Sequence, residues 1–186
     1  MYAVGADLQP AECETLEGKR TAVVVVTEGT NYRDDIASRI LSREISAILE
    51  AEVKGIELVR EEEIDDWRDN NDWDQLDFAA IGKGVKAEKV VGIEVSDLKL
   101  REGQTLYRGR ASVTTTVYDM KTETREFRRH LDDFAYPLHA GQYTSETTEP
   151  KFRRRFLAVL SRRLARYFHR WDPRETVALD AAIVNL

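Results

Sequence analysis

The stretch TAVVVVT, from Thr21 to Thr27, restricts the fold more than any other part of this sequence. A short run of β-branched residues without alternating polar positions is typical of a strand that is buried in the middle of a sheet. Gly29 then interrupts the run. We therefore predict that the chain begins its core with a central strand, against which other elements pack.

The next segment is predicted to be a helix that reaches about Glu52 and is closed by Gly55. Asn31 is the expected N-cap, with Asp34 and Asp35 favourably placed in the first turn. Apolar side chains at 3.6-residue spacing form one wide face of this helix, which indicates that it packs on the sheet. These side chains are Ile36, Ile40, Leu41, Ile45, Ile48 and Leu49.

A second short strand is predicted at Ile56–Arg60, and the order strand, helix, strand favours a crossover that makes the two strands parallel. An acidic helix is expected at 61–67, followed by a polar loop at 68–72. Asp72 has capping-box spacing to Gln75 and is the expected start of another helix, which would end at Gly82 and Gly84. Its expected inward side chains are Leu76, Ala79, Ala80 and Val85.

Three sequential strands with short links follow, which is the pattern of an antiparallel meander. They are expected at 90–100, 106–118 and 124–131, with a hairpin turn at 119–122 and a loop at 132–148. Pro150 suits the first turn of a last helix. Apolar residues recur every three or four positions up to Trp171, and Asp172-Pro173 stops the pattern, so a helix of about 22 residues is predicted.

This order predicts an α/β (or α+β) fold with a mixed sheet of about five strands and a long C-terminal helix. With 186 residues and one cysteine, a single domain at 19–172 is expected, without a disulfide framework. Residues 1–18 are expected to form a flexible N-terminal arm that carries Cys13, and 173–186 a tail of undetermined packing. No apolar run reaches the ~18 residues that a membrane span needs.

Four segments resemble a family of bacterial envelope domains: 19–25 (KRTAVVV), 79–93 (AAIGKGVKAEKVVGI), 107–111 (YRGRA) and 117–122. The family includes penicillin-binding-protein activator lipoproteins, the N-terminal domain of the Tol-system periplasmic propeller protein and the curli-secretion pore protein. The most similar piece is a small-residue helix end followed by a strand, with Gly84, Ala87 and Gly92 at the matching positions. The resemblance covers roughly residues 19–171. It implies a non-enzymatic envelope domain that binds other proteins.

Motifs for catalysis or metal binding are not apparent in this sequence. Gly82-Lys83-Gly84 lacks P-loop spacing and lies at the wrong end of a helix for phosphate. A calcium loop starting at Asp69 would have Ala80 where the bidentate Glu is needed. His130, His139 and His169 are not at metal-ligand spacing from one another or from Cys13. We therefore expect no enzymatic activity, no metal and no cofactor.

Charge is strongly segregated along the chain. Residues 50–78 contain twelve acids and three bases, a net charge of −9, whereas residues 150–171 contain eight bases and no acid, or +8. At 100° per residue, Arg155, Arg162 and Arg166 fall on one stripe of the last helix. Arg153, Arg163 and Arg170 fall near its apolar arc and are expected to pair with acids.

Three interpretations of the basic helix remain open: charge pairing within the domain, contact with a protein or membrane surface, and nucleic-acid binding. A pI near 5.3 argues against nucleic acid. Oppositely charged patches on one chain also permit head-to-tail self-association. Trp67 and Trp73 flank the acidic region and are either half-buried packing residues or binding hot spots.

These observations predict a non-catalytic protein-interaction module of the bacterial cell envelope, of the lipoprotein-type accessory or assembly-factor kind. The candidate partner-binding residues are Arg155, Arg162, Arg166, Trp67 and Trp73. The alternative is a cytoplasmic nucleic-acid-associated protein that uses the same helix. The expected location follows the resemblance: the periplasm or outer membrane if it holds, and the cytoplasm otherwise.

Overall fold

The computed structural model describes residues 7–29, 35–73 and 77–175. Its elements in chain order are β1 (Arg20–Thr27), α1 (Ile36–Glu52), β2 (Glu57–Leu58), α2 (Glu61–Asn70), α3 (Phe78–Gly84), β3 (Lys89–Glu102), β4 (Leu106–Asp119), β5 (Thr124–Tyr136), β6 (Gln142–Tyr143) and α4 (Glu149–Ala165). No helix within these ranges is long and apolar enough to cross a membrane.

The strands form one mixed sheet in the order β2-β1-β3-β4-β5, with β6 paired to the end of β4. β1 is parallel to β2 and to β3, whereas β3, β4 and β5 form an antiparallel meander. The predicted fold class is therefore confirmed, including the parallel pair and the central position of the valine run. Val23, Val24 and Val25 are buried, and Val26 is half-buried, because β1 has a strand on both sides and helices on both faces of the sheet.

Helices cover the two faces of the sheet unequally. Leu41, Ile45 and Leu49 of α1 pack with Phe156 and Leu160 of α4 on one face, where they form the larger core. On the other face α2 and α3 cover part of the sheet, and Ile64, Phe78 and Ile81 pack there with Ala22, Val24 and Val90. We call these the major and the minor core.

α1 and α4 run parallel to each other on the major face. Their first turns line one cavity, which includes Ile36 and Arg153, and their last turns line another, which includes Glu52 and Arg162. The C-terminal ends of both helices, which carry the negative ends of the helix dipoles, therefore meet at the same place.

Several predicted helix boundaries are wrong because local capping differs from the expected pattern. α1 is capped by Asp35, whose carboxylate accepts a hydrogen bond from the Ala37 amide at 2.9 Å, and Ile36 is 57% exposed at its first position. The predicted cap at Asn31 lies outside the described residues. α3 is capped by Asp77, which accepts from the Ala80 amide at 3.0 Å, and not by Asp72.

The helices on the minor face also differ in extent and orientation. α2 continues into the segment that was predicted to be a loop, as far as Asn70. α3 buries Phe78 and Ile81, while Ala79 and Ala80 are half-buried. Gly82 lies inside α3 and does not end it. A side chain at this position would not fit, since its Cβ would lie 2.5 Å from the Val90 side chain. The predicted inward Leu76 lies outside the described residues.

The last third of the chain shows two further differences. β5 extends to Tyr136, five residues beyond its predicted end, and part of the predicted loop forms β6. α4 has 17 residues and ends at Ala165, whereas about 22 were predicted. The helix ends there because the amides of Tyr167 and Phe168 donate to the carbonyls three residues earlier instead of four. That turn buries both aromatic side chains against Phe127 of β5.

The described part of the predicted flexible arm is packed on the domain. The amides of Glu12 and Cys13 donate to the Tyr167 carbonyl at 2.9 and 2.8 Å, and Leu16 is fully buried in the major core. Cys13 is only 5% exposed and contacts the Thr15 hydroxyl at 3.2 Å. Contrary to the expectation, the thiol is therefore not exposed in a mobile arm. The turn after α4 leaves the Tyr167 carbonyl without a helical partner, and the amides of the N-terminal segment donate to it.

Candidate partner-binding surface

The basic residues of 150–171 are placed by the amphipathic pattern of α4. Phe152, Phe156, Leu160 and Leu164 occupy the buried side of this helix, so the arginines between them reach its edges or solvent. Arg153 and Arg155 are half-buried near the start of the helix, whereas Arg154 and Arg162 are exposed.

Within the part of the chain that the structure describes, most of these cations make no ion pair. Among the described residues, only Arg153 makes an ion pair, with Glu149 at 3.0 Å. Arg155 donates to the Gln142 side chain at 3.1 Å, and Arg163 and Arg166 lie over aromatic rings. The expected pairing of Arg163 and Arg170 with acids is not found among the described residues. Within the described ranges, the residues without an ion pair are Lys151, Arg154, Arg155, Arg162, Arg163, Arg166 and Arg170.

The acidic segment pairs locally instead. Glu61 of α2 contacts Arg43 of α1 at 2.7 Å, and Glu63 contacts Arg20 at 2.8 Å and Arg60 at 3.1 Å. Hydrogen bonding to Arg60 and the charge of Arg20 lower the pKa of Glu63, while burial opposes the shift. α2 packs on the minor face and α4 on the major face, so the acids of α2 lie apart from the cations of α4. Glu52 of α1 is on the same side as α4 and lies 4.0 Å from His169.

Three of the α4-segment arginines line a single groove at the C-terminal ends of α1 and α4. Its volume is about 640 Å³. We call it the Arg166 groove. It is lined by Leu8, Ile48, Glu52, Arg162, Arg166, His169, Arg170, Trp171, Asp172 and Glu175.

Arg166 and Trp171 form the centre of this groove. The guanidinium carbon lies 4.3 Å from the centre of the indole ring. Trp171 is held by the N-terminal segment, since its amide and carbonyl pair with those of Gln9 at 3.1 and 2.8 Å. Burial lowers the pKa of Arg166, and the positive charges of Arg163 and Arg162 lower it further. A cation in this setting is well placed to gain from an added anion.

The structure brings together two of the three predicted stripe residues. Arg162 and Arg166 both line the groove, whereas Arg155 lies near the start of α4 beside Gln142. Helical spacing correctly placed the first two on one edge. It could not include Leu8, Ile48 and Arg170, because they belong to other segments or lie beyond the end of the helix.

Trp67 and Trp73 are packing residues of the minor core. Both are half-buried against it, and the Trp73 indole N–H donates to the Asp77 carbonyl at 3.2 Å. Trp67 fills the space above Gly84, where a Cβ would lie 1.9 Å from its indole nitrogen. Neither side chain lies in the Arg166 groove.

The small residues of the segment 79–93 have a packing reason. A Cβ on Gly92 would lie 2.8 Å from the Phe78 ring, and Ala87 is buried beside the minor core. The absence of a side chain at Gly92 lets Phe78 of α3 approach β3 closely, whereas Gly84 makes room for the indole of Trp67. The resemblance in this segment is therefore carried by residues that the packing of this chain itself requires.

No cluster of metal-ligating side chains occurs among the described residues. His130 contacts the Thr114 hydroxyl at 3.0 Å, His169 contacts the Arg170 carbonyl at 2.6 Å, and His139 is exposed. The segment that was considered as a calcium loop begins inside α2, which includes Asp69 and Asn70, and its residue Asp74 lies outside the described residues.

Comparison with known proteins identifies only structural similarity. No protein-family model and no curated protein matches the chain. The similar solved structures include bacterial lipoproteins. The C-terminal domain of LpoB from Salmonella enterica is 13% identical, with 64% of this chain and 82% of that chain covered and a TM-score of 0.42.

Two further lipoproteins are similar at the same level. A lipoprotein from Neisseria meningitidis is 10% identical over 77% of this chain and 96% of that chain, with a TM-score of 0.48. A minor lipoprotein from Acinetobacter baumannii is 14% identical over 80% of this chain and 91% of that chain, with a TM-score of 0.40. Similarity of this degree carries no information about what the chain binds.

Proposed function

We propose that this chain is a non-catalytic protein-interaction module of the bacterial cell envelope, of the lipoprotein-type accessory or assembly-factor kind. The observation that carries the proposal is the Arg166 groove. Arg162, Arg166 and Arg170 line it, and none of them makes an ion pair with a described residue. Charged surfaces of this kind steer encounter with a complementary partner and set its specificity.

The envelope location rests on the segments at 19–25, 79–93, 107–111 and 117–122, which resemble envelope domains. Fractionation of the native full-length protein, with an intact mass of its N-terminus, tests it. A processed or lipidated form in the envelope fraction would support the proposal. An unprocessed form in the cytosol would contradict the location.

Partner binding is tested by reversing two charges of the groove. Arg162 and Arg170 are exposed, so Arg162→Glu with Arg170→Glu should leave folding intact. We expect the double variant to lose at least tenfold in partner capture from envelope extracts, measured by quantitative mass spectrometry. The matched control is Arg154→Glu with Lys151→Glu, which makes the same charge change on the same segment outside the groove.

The two sets of variants distinguish the outcomes. A protein that is lost with the groove variant and retained with the control supports the proposal. Equal capture by all three forms, at unchanged circular dichroism, would reject the groove as the binding site. Binding of short RNA or DNA that falls steeply with salt would support the nucleic-acid alternative instead.

A further inference from the structure

The Arg166 groove has two kinds of wall, and together they restrict the chemistry of its ligand. One wall is cationic and consists of Arg162, Arg166 and Arg170. The other is apolar and consists of Leu8, which is 42% exposed, and the half-buried Ile48. The volume of about 640 Å³ lies within the ~300–1,000 Å³ that is usual for ligand pockets. A ligand that fills it would contact both walls.

Arg166 is the strongest candidate for a specific contact. Its guanidinium carbon lies over the Trp171 ring, 4.3 Å from the ring centre, and this contact holds the cation at the groove while its N–H edges can donate to another partner. Among the described residues no carboxylate pairs with those edges. A planar guanidinium held in this way suits the two oxygens of a carboxylate, which it can bind in a bidentate manner.

The acids at the rim argue against a polyanionic ligand. Glu52 lies 4.0 Å from His169, Asp172 is bound by Arg174 at 3.0 Å, and Glu175 is close enough to Arg166 to oppose the lowering of its pKa. The C-terminal ends of α1 and α4 add negative potential at the same place. A nucleic acid or a phosphate-rich surface would place several negative charges against these groups. A single carboxylate beside apolar atoms would not.

We propose that the Arg166 groove binds a peptide segment in which an acidic residue is adjacent to large aliphatic residues. The carboxylate binds the edge of the Arg166 guanidinium, with Arg162 and Arg170 around it, and an aliphatic side chain packs on Leu8 and Ile48. This inference specifies what kind of protein segment the proposed interaction module binds. It rests on the proposed function in one respect, namely that the ligand is part of a protein.

The test is an NMR titration of the ¹⁵N-labelled full chain, followed at the Trp171 indole N–H, which Trp171→Phe assigns. The probe is the blocked tetrapeptide acetyl-Leu-Asp-Leu-Gln-amide, which carries one carboxylate. We expect saturable shifts of the Trp171 signal with this peptide. We expect at least tenfold weaker binding of its amide analogue, acetyl-Leu-Asn-Leu-Gln-amide, and of acetyl-Gly-Asp-Gly-Gln-amide, which lacks the aliphatic side chains.

Variants link the shifts to the named side chains. Arg166→Gln should weaken peptide binding at least tenfold, and Leu8→Ser should weaken it less, while Arg154→Gln should leave it unchanged because Arg154 lies outside the groove. Unfolding curves of each variant confirm that it folds. If Arg166→Gln is unstable, Arg162→Gln, at an exposed position, provides the second measurement.

Four outcomes would overturn the inference. They are absence of shifts at millimolar peptide, equal binding of the neutral analogue, tighter binding of inorganic phosphate or an oligonucleotide, and concentration-dependent shifts without peptide, which would assign the groove to a second copy of the chain. Each is independent of partner capture from extracts. Groove-dependent capture without tetrapeptide binding would therefore reject this ligand chemistry and leave the proposed function standing.

Discussion

The guanidinium of Arg166, the residue that caps the end of α4, lies 4.3 Å from the centre of the indole ring of Trp171, five residues further along the chain. The contact exists because the helix ends at Ala165 and the chain turns back, so that Trp171 pairs with Gln9 of the N-terminal segment. An uninterrupted helix would not have brought Gln9 to Trp171. The turn after α4 therefore both forms the groove and provides the backbone groups to which the N-terminal segment binds.

A double-mutant cycle should detect this contact. We expect Arg166→Met and Trp171→Leu to show a coupling free energy of about 0.5–1 kcal/mol in urea unfolding, because a cation–π pair at a half-buried site contributes that much. The matched cycle uses Arg154→Met, since Arg154 is exposed on the same helix and has no ring contact among the described residues. A coupling indistinguishable from that control would show that the contact does not contribute to stability.

Gly84→Ala should destabilise the protein even though alanine favours helix. The added Cβ would lie 1.9 Å from the Trp67 indole nitrogen, so the indole must move or α3 must shift. We expect a net loss of about 1–3 kcal/mol in urea unfolding, the usual cost of overpacking.

A second background isolates the cause. In Trp67→Leu the same substitution should be neutral or stabilising, because the space above Gly84 is then open and helix propensity favours alanine by up to about 1 kcal/mol. Equal destabilisation in both backgrounds would mean that backbone conformation, and not the indole, requires glycine.

Asp119 should make stability depend on pH. Its carboxylate accepts from the Lys121 amide at 3.1 Å and the Thr122 hydroxyl at 3.2 Å, and Lys89 lies 3.7 Å away. The Lys121 hydrogen bond lowers the pKa of Asp119 from the ordinary value of 3.8, and the charge of Lys89 lowers it further, while burial opposes the shift. The carboxyl therefore binds its proton less tightly in the folded chain than in the unfolded one.

The sign of the effect follows from this difference. The stabilisation is complete above the pKa of the unfolded chain and is lost as the pH falls through the lower pKa of the folded chain, below 3.8. In Asp119→Asn the amide oxygen can still accept from the Lys121 amide, and the side-chain NH2 group can donate to the Thr122 hydroxyl in place of the bond that the carboxylate accepted. We therefore expect normal folding with a weaker loss of stability between pH 5 and pH 2. Urea unfolding at several pH values measures it, and parallel curves for wild type and variant would contradict the prediction.

Much of the fold could be predicted because its signals are local. The valine run of β1, the apolar face of α1 and the alternation in β4 each depend on residues within one element. Helix starts were harder, since several acids near each start can act as caps. Asp35 caps α1 and Asp77 caps α3 because their side chains reach the free amides, and this depends on backbone geometry.

The candidate site was predictable only in part. Helical periodicity placed Arg162 and Arg166 on one edge of α4, but it also included Arg155, which lies far along the helix beside Gln142. The two tryptophans were candidates because of residue type. Their packing against Gly84 and beside Asp77 depends on how α2 and α3 fold together.

The order of strands and helices, the mixed sheet and the segregation of charge between 50–78 and 150–171 follow from short-range pattern and composition, so they could be read from the sequence. Whether those charges meet depends on the folded path of the chain. Glu61 and Glu63 of α2 pair with Arg20, Arg43 and Arg60. Among the described residues, Arg153 is the one cation of the last helix that makes an ion pair, and its partner Glu149 is on the same helix. Ion pairing requires distances of a few ångströms between residues far apart in the chain, and only the path of the backbone sets those distances.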